Sequence, residues 1–155
     1  MKVNGKSMAV KTLLIAGCLA LFSFSPRRGG DSFEIWLNGK MLLQQFVHVS
    51  KGVQTLQLNH SSDNDRLDVY YRHCGEIGKS RYVTIQDESG RALKVWKFAD
   101  AIGKNAAMSF KVKDILRLKK NKSSKLSLFY SSNELPDGRL LATIVSENEN
   151  GIARR

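Results

Sequence analysis

The chain has 155 residues, of which 42 % are hydrophobic and 25 % are charged, and its formal net charge is +11. This composition excludes an intrinsically disordered chain and a multi-span membrane protein. The length suits one domain and leaves no room for a large two-domain enzyme.

Residues 1–25 have the layout of a secretory signal peptide. Basic residues from Lys2 to Lys11 precede an uncharged apolar run over residues 12–24, and the first acidic residue is Asp31. An apolar run of about 13 residues is too short to cross a ~30 Å hydrocarbon core, so no transmembrane span is expected in the mature chain. The sequence therefore predicts export to the periplasm or the extracellular space.

Cys18 offers an alternative way of processing the N-terminus. Residues 15–18, Ile-Ala-Gly-Cys, resemble a bacterial lipobox, which predicts a lipoprotein anchored at Cys18. The short apolar segment before this motif favours soluble export instead. In both cases residues 26–32 are predicted to form a flexible junction. Cys74 is the only cysteine after that junction, which excludes a disulfide within the mature chain.

After the junction, apolar and polar residues alternate in short runs, which is the pattern of β-strands. The first run, Phe33 to Leu37, is followed by Asn38-Gly39, a strong signal for a tight hairpin turn. Turn-forming residues separate the later runs. The predicted strands cover residues 33–37, 40–49, 53–58, 67–73, 82–86, 92–98, 108–112, 126–130 and 139–145.

We predict an all-β fold, an antiparallel β-sandwich of the immunoglobulin-like or a similar type, over residues 33–146. Lys113 to Lys120 does not alternate and is predicted to form one short helix. No amphipathic helix is long enough for a crossover between parallel strands, which excludes a doubly wound fold. Residues 147–155 are polar and are predicted to form a disordered tail.

Alternation also predicts which side chains face the core. On the strand after residue 66, Asp68, Tyr70 and Arg72 are expected to face outward. Predicted inward residues on three strands are Leu67, Val69, Tyr71, Leu126, Leu128, Tyr130, Leu140, Ala142 and Ile144.

Histidine and cysteine side chains are the first candidates for chemistry. His73 and Cys74 are adjacent, so on a strand they point to opposite faces and cannot share one metal ion. A cation such as Arg72 near Cys74 would lower a thiol pKa. Cys74, His73 and His48 are therefore the residues that a thiol-redox or metal-dependent enzyme would use. The chain has no nucleophile-elbow, phosphate-loop or zinc-binding motif, so we predict no cofactor and no metal site.

Two surface patterns indicate binding. Exposed aromatic rings can stack against sugars or pack on a partner, and alternation places Trp36, Tyr70 and Trp96 on the polar side of their strands. A cluster of basic residues can attract an anionic surface. The lysines selected as candidate ligand contacts are Lys111, Lys113, Lys119, Lys120 and Lys122.

Four segments give the chain a wider resemblance. GGDSFEIWLNGK, YYRHCG, KVWKFAD and SSNELPDGRLLATI resemble a group of small exported β-sandwich proteins of Bacteroidota-type bacteria that have no assigned function. The resemblance implies a bacterial envelope setting and supplies no active site.

The sequence favours an exported, non-catalytic binding or interaction module of the bacterial envelope. The expected partners are an anionic envelope surface, a polysaccharide or another envelope protein, and nucleic acid is not expected outside the cytoplasm. The alternative is the enzyme built on Cys74 and nearby histidines.

Overall fold

The structure is a computed structural model that describes residues 30–48, 52–58, 64–102, 106–121 and 124–146. The predicted signal peptide, Cys18, Lys122 and the predicted tail lie outside the described residues. Within the described part, no helix is long and apolar enough to span a membrane.

The described residues form nine strands and one short helix. The helix α1 (Val112–Leu116) follows the seventh strand directly and buries Val112 and Ile115. The strands are β1 (Ser32–Leu37), β2 (Lys40–Phe46), β3 (Gln54–Gln57), β4 (Arg66–Arg72), β5 (Arg81–Gln86), β6 (Ala92–Phe98), β7 (Met108–Lys111), β8 (Leu126–Ser132) and β9 (Leu135–Val145).

The strands form two sheets that pack against each other, as the predicted β-sandwich requires. Sheet A has the order β2-β1-β4-β7, and sheet B has the order β3-β9-β8-β5-β6. All neighbouring strands are antiparallel except β3 and β9, which are parallel. The predicted antiparallel β-sandwich is thus confirmed, and its one parallel pair is at the edge of sheet B, where β3 lies beside β9.

The β1–β2 hairpin turns at Asn38-Gly39, as the sequence predicts. Both residues have positive φ, 50° and 79°, which is the conformation that an Asn-Gly hairpin turn needs. The Asn38 side chain also ties the turn to the start of β4. Its Nδ2 donates to Asp65 Oδ1 at 2.9 Å, and its Oδ1 accepts from the Arg66 backbone N at 2.9 Å.

The core lies between the two sheets, and the predicted alternation fills most of it. Leu67 and Val69 from β4 and Leu126 and Leu128 from β8 are buried, with Tyr71 and Tyr130 beside them. On β9 the prediction is confirmed for Ala142 and Ile144 and is wrong for Leu140. A register shift separates Leu128–Ala142 from Phe129–Leu140, so Leu141 is buried where Leu140 was expected.

Two segments have other boundaries than the sequence predicts. The helix ends at Leu116 rather than at Lys120. Residues 133–138, expected to be a loop, instead form a short turn after Ser132 followed by the first residues of β9. Gly138, with φ 69°, allows the backbone irregularity inside that strand.

Candidate functional site

Five side chains form an organised cluster on the outer face of sheet A. Phe33 and Ile35 of β1 and Tyr71 of β4 point into the core, so the residues between them point outward. The register places Glu34 between Gln44 of β2 and Tyr70 of β4. We call the group of Glu34, Trp36, Gln44, Tyr70 and Arg72 the platform.

Glu34 is the centre of the platform. It faces outward, yet it is only 8 % exposed because its neighbours cover it. Its Oε1 accepts from Arg72 Nη1 at 2.7 Å and from Gln44 Nε2 at 3.2 Å, and its Oε2 accepts from Trp36 Nε1 at 3.0 Å. The hydrogen bond from Arg72 holds the pKa of Glu34 below its ordinary value, against the opposing effect of burial. The carboxylate therefore stays charged and orients three side chains from three strands.

The platform brings together two of the predicted binding aromatics. The Trp36 and Tyr70 rings are 6.3 Å apart and inclined at 73°, so they form a corner rather than a flat strip. Phe46 and Met41 lie on the same side of β2 and are exposed at the platform's margin. This surface combines ring faces with fixed polar groups.

Trp96 does not belong to this surface. Its ring is 4.9 Å from that of buried Phe110 in an edge-on contact, so it points to the inner side of β6. The expectation of an outward ring is wrong because both Trp96 and Phe98 cover the core beside Phe110. A role of Trp96 in ligand binding stays a prediction, and its ring is not part of the platform.

A cleft of about 470 Å³ adjoins the platform where β4 ends. Tyr70 and Arg72 belong to both the platform and this cleft, which we call the β4 cleft. Residues 76–78 line it together with Ala101 and Ala106, and the Ala101 backbone N donates to Gly78 O at 2.8 Å. The residues lining it are Tyr70, Tyr71, Arg72, His73, Glu76, Ile77, Gly78, Ala101 and Ala106.

Behind the β4 cleft, His73 lies in a polar network that joins the two sheets. Its Nδ1 is 3.4 Å from Asp31 Oδ2, and its Nε2 is 3.0 Å from Tyr130 Oη and 3.1 Å from Ser132 Oγ. Tyr71 Oη donates to the same Asp31 oxygen at 2.9 Å. Burial raises the pKa of both Tyr71 and Tyr130, so their phenols stay protonated and can donate.

Asp31, His73 and Ser132 contact one another in series, carboxylate to imidazole to hydroxyl, as the side chains of a catalytic triad do. However, the His73 side chain is only 4 % exposed, Ser132 is buried, and neither Asp31 nor Ser132 lines the β4 cleft. Tyr130 Oη also competes with Ser132 for His73 Nε2. This arrangement cross-links β4 and β8 and does not offer a nucleophile to a substrate.

The other residues of the predicted enzyme site are separated. Cys74 is exposed in the turn after β4, where its backbone N donates to Asp31 Oδ1 at 3.2 Å. His48 is exposed after β2 and its ring is 6.0 Å from that of Phe46. Cys74 forms no thiol hydrogen bond to a described residue. Within the described ranges, no group of three His, Cys, Asp or Glu side chains could hold a metal ion.

The lysines of the predicted basic cluster lie in different environments. Lys111 is exposed on β7 opposite Arg66, and Lys113 is half-buried on α1. Lys119 Nζ donates to Ser146 Oγ at 2.8 Å, and burial lowers its pKa. Lys120 instead lines a second cleft, of about 380 Å³, beside Asp87 and Glu88. A ligand-binding role for these lysines stays a prediction.

The sequence alone does not indicate Glu34, Gln44 and Arg72 as site residues. Alternation along β1 does place Glu34 and Trp36 on one face, and this pattern indicates that the two side chains are neighbours. The pairing with Arg72 was not readable, since it joins residues 38 positions apart.

A scan against models of known protein families finds no match to this chain, and a search of curated proteins finds none either.

Proposed function

We propose that the chain is an exported, non-catalytic binding module of the bacterial envelope whose platform binds a polysaccharide. The observation that carries this proposal is the corner of Trp36 and Tyr70 beside a covered, fully hydrogen-bonded carboxylate. The ring faces supply apolar contact area, and the side chains around Glu34 are already held in place. Such preorganisation lowers the entropic cost of ordering side chains when a ligand binds.

Sugar rings suit this surface for two reasons. Their C–H faces pack on aromatic rings, while their hydroxyl groups require polar partners at the rim. Tyr70 carries a hydroxyl group and Gln44 an amide group on the same outer face, and both groups can serve as such partners. An anionic lipid surface would gain less here, because the carboxylate of Glu34 offsets the charge of Arg72.

The envelope setting of the proposal depends on the predicted signal peptide and on the resemblance to exported proteins. Intact mass of the protein recovered from the envelope of its native host tests it. A species lacking about the first 25 residues supports soluble export. A lipid-modified Cys18 supports the lipoprotein alternative, and a full-length cytoplasmic species contradicts both.

The platform itself is tested by substitution. Trp36→Ala and Tyr70→Ala are expected to reduce retention on insoluble polysaccharides, here chitin, cellulose and purified peptidoglycan, by about tenfold or more. Tyr82→Ala is the matched control, because Tyr82 is a half-buried tyrosine on the outer side of sheet B. Equal retention of Trp36→Ala and wild type, or no retention of the wild type on any of the three, would contradict the proposal.

An enzyme using Cys74 is the second candidate, and the exposure of this thiol is the observation that favours it. Solvent access is required of a reactive cysteine, although a depressed thiol pKa is required as well. The rate of alkylation of the folded protein as a function of pH distinguishes the two cases. Reaction at the pH dependence of an ordinary thiol would assign no special reactivity to Cys74.

A further inference from the structure

The platform and the β4 cleft form one continuous surface. Tyr70 contributes to the aromatic corner and also lines the cleft. Arg72 holds Glu34 on the platform side and also lines the cleft. A ligand that lies across Trp36 and Tyr70 is therefore next to the cleft.

The interior of the β4 cleft is mainly apolar in character. Its deepest polar groups are already committed, because Tyr71 Oη donates to Asp31 and both ring nitrogens of His73 have partners. What remains for a ligand is ring surface and aliphatic carbon from Ile77, Ala101 and Ala106. An apolar substituent is thus better accommodated than a hydroxyl group, which would lose its hydrogen bonds to water there.

The lining of the cleft carries balanced charge and N–H donors that are available to a ligand. Its lining includes one cation, Arg72, and one anion, Glu76, so the formal charges of the lining balance. A guanidinium has five N–H groups, and the hydrogen bonds of Arg72 among the described residues all go to Glu34. The Arg72 side chain is 38 % exposed, which leaves room for a carbonyl oxygen to accept from it.

A neutral group with a carbonyl oxygen and an apolar end fits these features. We propose that the β4 cleft binds an N-acyl substituent, such as the acetyl group of an N-acetylated sugar, on a glycan that lies across the platform. This inference rests on the proposed function and narrows its ligand to glycans with N-acylated sugars. The acyl methyl contacts Ile77 and the alanines, and the amide oxygen accepts from Arg72.

Two neutral oligosaccharides test the inference by calorimetry, the trimer of N-acetylglucosamine and the glucose trimer of the same linkage. We expect the acetylated trimer to bind about tenfold more tightly. Ala101→Phe, which fills the cleft, should reduce its affinity to that of the glucose trimer. Ala92→Phe is the control, since Ala92 is exposed on β6. Saturation-transfer NMR on the wild type should also show the strongest transfer to the acetyl methyl protons, which requires no variant.

The outcomes separate the two proposals. Equal affinities for the trimers, unchanged binding by Ala101→Phe, or weak transfer to the acetyl methyl would overturn the cleft inference and leave the platform intact. Loss of binding of both trimers in Trp36→Ala supports the platform alone. No binding of either trimer by the wild type overturns both.

Discussion

The outer faces of the two sheets differ in how they treat polar residues. On sheet A, Glu34 and Asp68 face outward but are only 8 % and 3 % exposed. Asp68 accepts from Ser109 Oγ at 2.5 Å and from Arg66 Nε at 3.0 Å. Sheet B carries hydroxyl residues at the equivalent positions, such as Thr84 and Ser127, and none of its outward carboxylates is buried among the described residues.

This difference shows that the direction of a side chain and its burial are separate properties. Alternation correctly predicts that Asp68, Tyr70 and Arg72 of sheet A point outward. Burial on sheet A comes from neighbouring side chains that converge on each carboxylate, and buried charges are tolerated only when they are paired. The outer face of sheet A is therefore an ordered surface, whereas that of sheet B is an ordinary solvated one.

The largest expected effect is that of Glu34→Ala. It leaves Arg72, Gln44 and the indole N–H of Trp36 without their common acceptor. We expect the free energy of unfolding to fall by about 2 kcal/mol. Thr84→Ala on sheet B should cost less than about 0.5 kcal/mol. Urea unfolding of both variants measures the contrast, and equal losses would remove the distinction between the two faces.

The contribution of Glu34 to stability should also depend on pH. The pKa of Glu34 is lowered from its ordinary value of 4.5, chiefly by Arg72. A carboxyl group with a lowered folded pKa stabilises the native state above its unfolded pKa, and this stability is lost as the pH falls through the folded value. Unfolding free energies of Glu34→Gln should therefore depend less on pH below about 4.5 than those of the wild type. Parallel curves for the two proteins would show that this carboxylate is not linked to folding.

Sheet B provides the smallest expected effect. Lys97 Nζ lies 5.8 Å from the centre of the Tyr82 ring, on an exposed strand. Such contacts contribute about 0.5 kcal/mol at exposed sites. Lys97→Ala should lower the thermal midpoint only slightly, by about 2 °C. If Lys97→Ala lowered the free energy of unfolding as much as Glu34→Ala does, the outer face of sheet B would also be an ordered surface.

Much of the fold could be predicted from local patterns. The Asn38-Gly39 turn and the strand alternation depend on neighbouring residues, so the sequence displays them directly. The features that the sequence does not display occur where a distant segment decides the outcome. The register shift on β9 depends on its pairing with β8, and the parallel position of β3 depends on β9.

The candidate site was only partly predictable for the same reason. Trp36 and Tyr70 were selected as outward aromatics, and the structure brings them together through the pairing of β1 with β4. For Trp96 the sequence predicts the wrong side of the strand, because Ala92–Phe98 has apolar residues on both faces. The contacts of His73 with Tyr130 and Ser132 join residues 57 and 59 positions apart, which no local pattern reveals.

The parallel pairing of β3 with β9 has a consequence for how the chain folds. Gln54 pairs with Ala142, so this edge of sheet B joins segments from nearly opposite ends of the described chain. Closing so long a loop is entropically costly and slows folding relative to local hairpins such as β1–β2 and β5–β6. Until β9 has been synthesised and paired, β3 has no neighbour in its sheet and stays open to association with other chains. Formation of this edge of sheet B is thus coupled to the synthesis of β9, unlike the two local hairpins.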